Sequence, residues 1–387
     1  MIYPIGIQNF ESLINDGYVY VDKTALVYQM ATTGRYYFLS RPRGFGKSLL
    51  LSTLEAYLSG KKELFRGLAI EKLEHKWEEH PILHLDLNTA KYDAMDSLNH
   101  VLDDSLKKWE EIYGTFPTEV TFALRFKGIV ERAYEKTGHR VVILVDEYDT
   151  PLLEAYTQGY WDEMIATCRQ IFHNAFKQND FYSRAIITGV TRISKNSLFS
   201  DLNNLEVDTV TCDAYSDCFG FTEQEVMDAL KCQNLDKMRD VKDLYDGFIF
   251  GKQKDMYNPW SICNYIRQGE LISYWTNTSS NKLIGDIIRK HPVGRKYEIE
   301  QLMSGEKVHK EINENITFQY LDGDENSLWS LLLSVGYIKA ENVVHKVDAI
   351  ECDVSVTNKE VMAMFRTEIL GMFHNGFSVY NRFVKAL

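Results

Sequence analysis

The stretch that decides the fold is YYFLSRPRGFGKSLLLSTL, residues 36–54. A short aromatic and apolar run is followed by a turn through a proline and two glycines, and then by apolar residues at helical spacing. A strand, loop and helix of this kind can hold an anion with backbone N–H groups and a helix N-terminus. The general pattern G-x-x-x-x-G-K-[ST] is incomplete, because Arg41 replaces its first glycine while Gly46, Lys47 and Ser48 remain.

Arg41 has two interpretations. The missing glycine normally serves the turn out of the strand, so an arginine there predicts either a different path into the loop or an added cation near the terminal phosphate of a nucleotide. Taken by itself, GFGKS could also be a glycine-rich turn that starts an amphipathic helix. A second element is therefore needed to decide whether the loop is a nucleotide site.

Further strands alternate with helical segments after the loop. The five apolar residues before Asp146 are typical of a strand buried on both faces of a parallel sheet. Alternating strands and helices predict an α/β fold with a doubly wound parallel sheet. The other expected elements are strands at residues 82–88, at 184–190 and within LEVDTVT, and helical patterning over residues 95–137 with a break near Gly114 and Pro117.

Two adjacent carboxylates, Asp146 and Glu147, end the apolar strand and form the second element. Nucleotide hydrolysis needs one carboxylate in the Mg²⁺ shell and another to orient or deprotonate water. A solvated pair at the start of a loop is the alternative, but the joint match with the loop favours a nucleotide site. Asp149 is interpreted as a helix cap rather than a catalyst, and Thr150 as a cap ahead of Pro151.

The end of the next strand carries a third set of polar residues. Thr188, Thr191 and Arg192 could contact the γ-phosphate or the attacking water from a strand inserted between the other two. A threonine-rich turn with one surface charge is the competing interpretation.

The alternation of strands and helices ends near residue 212, and the sequence beyond it suggests that the chain has three parts. Residues 1–212 are the core with its N-terminal lead-in, and residues 213–294 carry short aromatic-rich helical segments that predict a small helical lid. Residues 295–387 read as helices, a hairpin within NVVHKVDAIECDVSV and a closing helix from Asn358, which fits a winged-helix-like module.

The amino-acid composition argues against several kinds of function and location. A net charge of −12 argues against a general nucleic-acid-coating surface, because such binding depends on Lys and Arg neutralising phosphates. The six cysteines form no C-x-x-C pair, so buried and reduced thiols are expected rather than a metal site. No apolar run reaches the roughly 20 residues of a membrane span and no leader pattern is present, so a cytoplasmic location without membrane contact is expected.

The chain resembles the bacterial AAA-ATPase-like family, ASCE-type P-loop proteins related to the STAND-like ATPases, over nearly all of its length. The family's loop is similar to R-P-R-x-F-G-K-S, so Arg41 fits the family although it breaks the general pattern. The matching pieces are YVYVDKTALV, FLSRPRGFGKSLLLSTL, VVILVDEYDTPL, IITGVTRISKNSLFSDLNNL, YDGFIFG with MYNPWSI, YWTNTSS, and SVGYIKA with VTNKEVMAMF.

The resemblance implies a P-loop NTPase core that binds ATP and Mg²⁺. Lys47 and Ser48 would hold phosphate and Mg²⁺, Asp146 would complete the metal shell, and Glu147 would orient water. Thr188 and Arg192 are the remaining catalytic candidates. The implied nucleotide-binding residues are Arg41, Pro42, Arg43, Gly44, Phe45, Gly46, Lys47, Ser48 and Leu49.

The function expected from this resemblance is an ATP-hydrolysing switch whose lid closure is coupled to the C-terminal module or to a nuclease partner. Family members often continue into a PD-(D/E)XK nuclease domain, which is expected to be absent from this chain. A nucleotide-binding scaffold that docks DNA or a nuclease is one alternative. A P-loop phosphotransferase is another, disfavoured by Glu147 directly after Asp146. An oligomer stays open, with Arg43, Arg169 and Arg184 as conceivable arginine fingers.

Overall fold

The structure is a computed structural model that describes residues 2–176, 180–193, 205–275, 296–314, 325–347 and 349–373. The chain forms two compact units, residues 1–209 and residues 210–387. The second unit therefore contains both the expected lid and the expected C-terminal module. None of the helices in the described residues has the length and the apolar character that a membrane-spanning segment requires.

A five-stranded parallel sheet forms the centre of the first unit, which confirms the predicted α/β class. The strand that carries Thr188 lies between the loop strand and the strand that ends at Asp146, as the sequence predicted. The strands are β1 (Tyr36–Ser40), β2 (Ile82–Asp86), β3 (Val141–Asp146), β4 (Tyr182–Gly189) and β5 (Leu205–Asp208), in the spatial order β2-β3-β4-β1-β5.

The register of the strands brings their carboxyl ends to one edge of the sheet. Ser40 is opposite Gly189, and Asp86 is opposite Asp146. In open α/β sheets, ligands bind at this edge, where the connections to the helices begin. The segments that follow β1, β3, β4 and β5 are therefore neighbours although they are far apart in sequence.

The helices of the first unit begin and end at residues with recognisable capping chemistry. The Asn9 side chain accepts a hydrogen bond from the N–H of Ser12, and the Thr121 side chain accepts one from the N–H of Leu124. The predicted break between two helices near Gly114 is confirmed. The helices are α1 (Phe10–Asn15), α2 (Thr24–Thr33), α3 (Lys47–Leu58), α4 (Met95–Tyr113), α5 (Phe122–Thr137), α6 (Thr150–Gln158) and α7 (Trp161–Phe176), with 3₁₀ turns at Lys62–Phe65 and Ala69–Lys72.

The first part of the second unit is not purely helical, which corrects the sequence-based expectation. It contains a three-stranded antiparallel sheet in the order β6-β8-β7. The strands are short, so their period-two pattern is hidden among the aromatic residues that also build the local core. The elements are β6 (Phe221–Thr222), α8 (Glu223–Cys232), α9 (Met238–Tyr245), β7 (Phe248–Phe250), β8 (Gln253–Tyr257) and α10 (Pro259–Gln268).

The last part of the second unit contains the predicted hairpin and closing helix. The two hairpin strands pair antiparallel, and a third strand adds to them in the order β10-β11-β9. Assignment of this part as a winged helix stays a prediction. The elements are α11 (Lys296–Met303), β9 (Val308–Ile312), α12 (Glu325–Ser334), β10 (Ile338–His345), β11 (Ile350–Val356) and α13 (Lys359–Phe373).

Glu360 connects the two parts of the second unit. Its side chain is buried, and its carboxylate accepts hydrogen bonds from the Ser261 hydroxyl at 2.9 Å and from the N–H groups of Tyr274 and Trp275 at 2.7 and 2.8 Å. A buried carboxylate is tolerated only when its lone pairs are satisfied in this way. Glu360 therefore ties the N-terminal turn of α13 to α10 and to the chain after it.

All six cysteines are free thiols, in agreement with the sequence prediction. Four of them are buried, Cys212 is half-buried and Cys232 is exposed. The expectation of buried thiols is therefore correct for most of the cysteines and wrong for Cys232.

We predict that Gly247→Ala lowers the free energy of unfolding by more than about 3 kcal/mol. Gly247 has a φ of +134°, and an added Cβ would lie 2.1 Å from the backbone oxygen of Thr357. The variant combines a disfavoured conformation with a clash against backbone, which cannot move aside as a side chain can.

Gly269→Ala is the matched control, because Gly269 has a φ of +73° but no atom within 4 Å of the added Cβ. This variant should lower the free energy of unfolding by only about 1–2 kcal/mol, because it adds the cost of a left-handed backbone conformation without a clash. Urea unfolding of the full chain measures both variants. Equal stability of the two would contradict the close approach of Gly247 to Thr357.

Candidate functional site

The loop between β1 and α3, residues 41–46, depends on its two glycines. Gly44 and Gly46 have φ values of +78° and +91°, in the left-handed region that side chains disfavour. A Cβ at Gly46 would meet no atom within 4 Å, so its backbone conformation, rather than a lack of space, favours glycine there. The N–H of Leu50 donates to the oxygen of Gly46. The N–H groups ahead of it have no intrahelical acceptor and are suited to an anion.

The other loop residues differ in what they can offer a ligand. The Phe45 side chain is buried in the core, so Phe45 has only backbone groups to offer. Pro42 is buried and has no N–H, whereas Arg43 and Leu49 are half-buried. The predicted binding residues therefore lie together in one loop, but their side chains do not all face the same way.

Lys47 is the first residue of α3, and its ammonium group is enclosed by acceptors. Nζ donates to the backbone oxygens of Arg41 at 3.1 Å and Pro42 at 3.4 Å, and it lies 3.1 Å from Oε1 of Glu147. Lys47 is 3% exposed. A ligand phosphate at this position would have to replace Glu147 as the partner of the lysine.

Asp146 ends β3 and is surrounded by hydroxyl groups. The Thr188 hydroxyl donates to Oδ1 of Asp146, and the Ser48 side chain also hydrogen-bonds to the carboxylate. Burial and then the nearby charge of Glu147 raise the pKa of Asp146, while its hydroxyl partners and Lys47 oppose the rise.

Ser48 and Asp146 fit a magnesium ion, because Mg²⁺ prefers hard oxygen ligands and few protein groups. Among the described residues, no cluster of three or more His, Cys, Asp or Glu side chains could hold a metal. Metal binding at this edge would therefore need oxygens from a bound ligand or from water as well.

Glu147 is held in a strained backbone conformation. Its φ is +51°, unusual for a residue with a side chain, at a cost of about 1–3 kcal/mol. Its N–H donates to the Thr188 hydroxyl at 3.3 Å, and its Oε1 is paired with Lys47. Its other oxygen, Oε2, is buried and has no hydrogen-bond partner among the described residues. Such strain together with an unsatisfied oxygen is typical of a functional carboxylate.

The polar residues at the end of β4 have different surroundings. The hydroxyl of Thr188 is bonded to Asp146, and that of Thr191 donates to Asp149 at 2.7 Å. Both threonines are buried. Arg192 is half-buried, and its guanidinium forms no ion pair within the described residues. The threonines thus support the carboxylates, whereas Arg192 has a charge to offer to a ligand.

The three arginines considered as fingers lie in different elements. Arg43 is in the loop, Arg169 is in α7 and Arg184 is in β4. Arg184 precedes Gly189 by five strand residues, roughly 16 Å along the strand, so it cannot reach the carboxyl edge from its own chain.

Asp149 does not act as the helix cap that the sequence suggested. It occupies the N-cap position of α6, but its side chain makes no capping bond, and Thr150 is already the first residue of the helix. Its fully buried carboxylate instead accepts hydrogen bonds from the segment after β4. Burial and then Glu147 raise the pKa of Asp149. The sequence held no signal for this contact, because no local pattern relates residue 149 to residue 191.

Arg41 is fully buried, and its guanidinium is occupied by β5 and the residue after it. Nη2 lies 2.8 Å from Oδ2 of Asp208, and Nη1 donates to the backbone oxygens of Ser40 at 2.8 Å and Thr209 at 2.9 Å. These contacts favour the interpretation that Arg41 sets a different path into the loop, and they disfavour the added cation near a phosphate. Asp208, its partner, was not among the residues predicted from sequence.

Comparison with known proteins identifies a family and a relative. A family described as "Predicted AAA-ATPase" matches residues 4–199. An uncharacterized protein in the vnfD 5' region of Azotobacter chroococcum mcd 1 is 34% identical over 290 residues, which make up 74% of this chain and 55% of that protein. This chain thus spans about half the length of that relative.

Two solved structures from Aeropyrum pernix align with low similarity. The ORC1 protein in complex with DNA has a TM-score of 0.33 and 12% identity, covering 92% of this chain and 96% of its own. The ORC2 protein, solved as ADPNP-ADP complexes, has a TM-score of 0.31 and 10% identity, covering 92% of this chain and 98% of its own.

We predict that Asp208→Ala lowers the free energy of unfolding by about 3–5 kcal/mol, because it leaves the buried guanidinium of Arg41 without a counter-charge. Adding Arg41→Met should restore part of this loss, since the uncompensated charge is then removed. Urea unfolding of the two single variants and the double variant measures the effect.

Asp213→Ala is the control, because Asp213 pairs with Lys252 at an exposed position and should leave stability almost unchanged. A double variant whose loss equals the sum of the single losses would contradict a direct Arg41–Asp208 pair.

Proposed function

The chain belongs to the AAA-ATPase-like family, and from this membership we propose that it is an ATP-binding switch that hydrolyses ATP with the help of Mg²⁺. The observation that carries the proposal is the 3.1 Å contact between the loop lysine, Lys47, and the strained Glu147 at the end of β3. Under this proposal, a phosphate-binding cation would lie beside a candidate base, at the edge where β4 separates β1 from β3.

Phosphate binding would begin at the N-terminus of α3. The N–H groups that follow Gly46 would hold the phosphate oxygens, and Lys47 would neutralise the outer phosphates. Lys47 would then exchange the carboxylate of Glu147 for a phosphate. Glu147 loses its ion-pair partner in the same event, so occupation of the loop and release of the carboxylate are coupled.

Glu147 would act as the base that orients and deprotonates the attacking water. Its Oε2 is buried and unsatisfied, which suits an acceptor of a water proton. The Thr188 hydroxyl accepts a hydrogen bond from the N–H of Glu147 and donates one to Asp146, so it fixes the two acidic residues relative to each other. Mg²⁺ held by Ser48 and Asp146 would supply positive charge to the phosphate oxygens.

The output of the switch would lie in the second unit. Lid closure by residues 213–294, coupled to the module of residues 295–387 or to a nuclease or other protein partner, would convert turnover into a conformational signal. The net charge of −12 gives DNA binding no support, and an oligomer would be needed only if a neighbouring copy supplies an arginine.

The scaffold alternative keeps nucleotide binding without turnover. It would be favoured if the wild-type chain bound Mg-ATP and released no more phosphate than a Glu147→Gln variant. The scaffold and the hydrolysing switch would bind ATP at the same loop, so only the rate of phosphate release separates them.

A phosphotransferase is a second candidate function, favoured by one observation. A groove of about 570 Å³ beside the end of β2 and α4 could receive an acceptor. Its wall includes Asp86, which is opposite Asp146 in the sheet, together with His84 and His100. ATP consumption in the absence of any acceptor would exclude this function.

We predict that Lys47→Ala weakens ATP binding by about 100-fold or more, because it removes the charge that neutralises the outer phosphates. Lys61→Ala is the control. Lys61 is on the surface, paired with Glu11, and its removal should leave affinity unchanged. Titration calorimetry measures both variants, with circular dichroism as the check on folding. A Lys47→Ala chain with wild-type affinity would exclude the loop as the binding site.

We predict that Glu147→Gln binds Mg-ATP at least as tightly as the wild type, because an amide competes less well than a carboxylate for Lys47. Turnover should fall by on the order of a hundredfold or more, since the amide cannot accept a proton. Phosphate release and calorimetry on the same preparation separate the two effects. Parallel loss of binding and turnover would instead make Glu147 a structural residue.

A further inference from the structure

Hydrogen bonds from consecutive residues join the segment after β4 to the segment after β3. Oδ2 of Asp149 accepts hydrogen bonds from the N–H of Thr191 and from its hydroxyl, both at 2.7 Å. The N–H of Val190 donates to both oxygens of Asp149, at 3.2 and 3.1 Å. Asp149 is 0% exposed, so no water competes for these bonds. One carboxylate thus holds two consecutive backbone N–H groups and one hydroxyl.

Tyr148 also binds the segment after β4, at the residues immediately before and after Arg192. Its hydroxyl donates to the backbone oxygen of Thr191 at 2.7 Å and accepts from the N–H of Ile193 at 2.9 Å. Its own N–H donates to the oxygen of Thr188. Tyr148 is fully buried. The residues on both sides of Arg192 are therefore fixed by Tyr148 and Asp149.

Gly189 allows the two segments to approach this closely. A Cβ at Gly189 would lie 2.6 Å from Oδ1 of Asp149 and 2.6 Å from the ring of Tyr148. The contact therefore depends on the absence of a side chain at residue 189, at the end of β4. We call the contact of Tyr148 and Asp149 with residues 188–193 the strand-end clamp.

Arg192 lies within the strand-end clamp but is not one of its bonded groups. Its backbone neighbours Thr191 and Ile193 are fixed, its side chain is half-buried, and the described residues offer its guanidinium no ion pair. A long cationic side chain on a rigid backbone loses less entropy when it binds an anion than one on a mobile loop.

We propose that Asp149 is a positioning residue that acts through Arg192: it fixes the backbone from which Arg192 contacts the terminal phosphate of a nucleoside triphosphate. This inference rests on the proposed function and deepens it. Because its carboxylate is fully buried and already bonded to the segment after β4, Asp149 would not itself contact the nucleotide. Its carboxylate determines where the guanidinium lies relative to Asp146 and Glu147.

The test is a double-mutant cycle that compares binding of a non-hydrolysable ATP analogue with binding of ADP, which needs no turnover. Arg192→Ala should lower the preference for the triphosphate by about 10-fold, since one charge-assisted bond is lost. Asp149→Ala should lower it by a similar factor. If Asp149 acts through Arg192, the double variant should lose no more than either single variant.

Three further variants separate positioning from general loss of stability. Asp149→Asn should keep part of the preference, because the amide oxygen can still accept one of the N–H groups. Gly189→Ala should lower the preference as Asp149→Ala does, because it pushes the clamp apart. Glu119→Gln, which weakens a pair with Arg132 in the same unit, should keep the full preference.

The outcomes are distinct. A wild-type chain that binds neither nucleotide overturns the proposed function and this inference with it. A wild-type chain that prefers the triphosphate, with an Asp149→Ala variant that keeps this preference, overturns the inference alone. Losses that multiply to about 100-fold in the double variant also overturn it, because Asp149 and Arg192 would then act separately.

Discussion

Buried charge at the carboxyl edge of the sheet is the constraint on which the first unit depends. Each of the two buried cations has a carboxylate partner at about 3 Å, and the two remaining carboxylates are satisfied by hydroxyl and N–H donors. Charges so far from water are stable only with such partners, which fixes the relative positions of four connecting segments. The residues are Arg41, Lys47, Asp146, Glu147, Asp149 and Asp208.

Under the proposed function, the two ion pairs at this edge have different roles: the Arg41–Asp208 pair is permanent, and the Lys47–Glu147 pair is exchanged when a ligand binds. The Arg41–Asp208 pair is enclosed by backbone oxygens and joins the loop to β5, so breaking it would leave a charge without compensation. The Lys47–Glu147 pair lies between the glycine loop and a residue with a strained backbone. Under the proposed function, a ligand phosphate replaces one carboxylate here, so the protein needs no large rearrangement to release its base.

The sheet of the first unit and the break between its helices near Gly114 followed from sequence patterns, because buried strands and amphipathic helices have strong periodicity. The apolar run before Asp146 and the break near Gly114 needed only local information. The fold of the second unit was harder to predict from the sequence. The strands Phe248–Phe250 and Gln253–Tyr257 are too short for a period-two pattern to stand out from neighbouring aromatic residues that pack in the same core.

The sequence by itself determined the local parts of the candidate site: a glycine loop before Lys47, a carboxylate pair after a buried strand, and a polar segment after the next strand along the chain. Tertiary structure alone decided which charges meet. The pairing of Arg41 with Asp208 and the bonding of Asp149 to Thr191 join residues that are distant in the chain. No local pattern encodes these contacts, because burial and strand order determine which buried group finds which partner, and both are properties of the folded sheet as a whole.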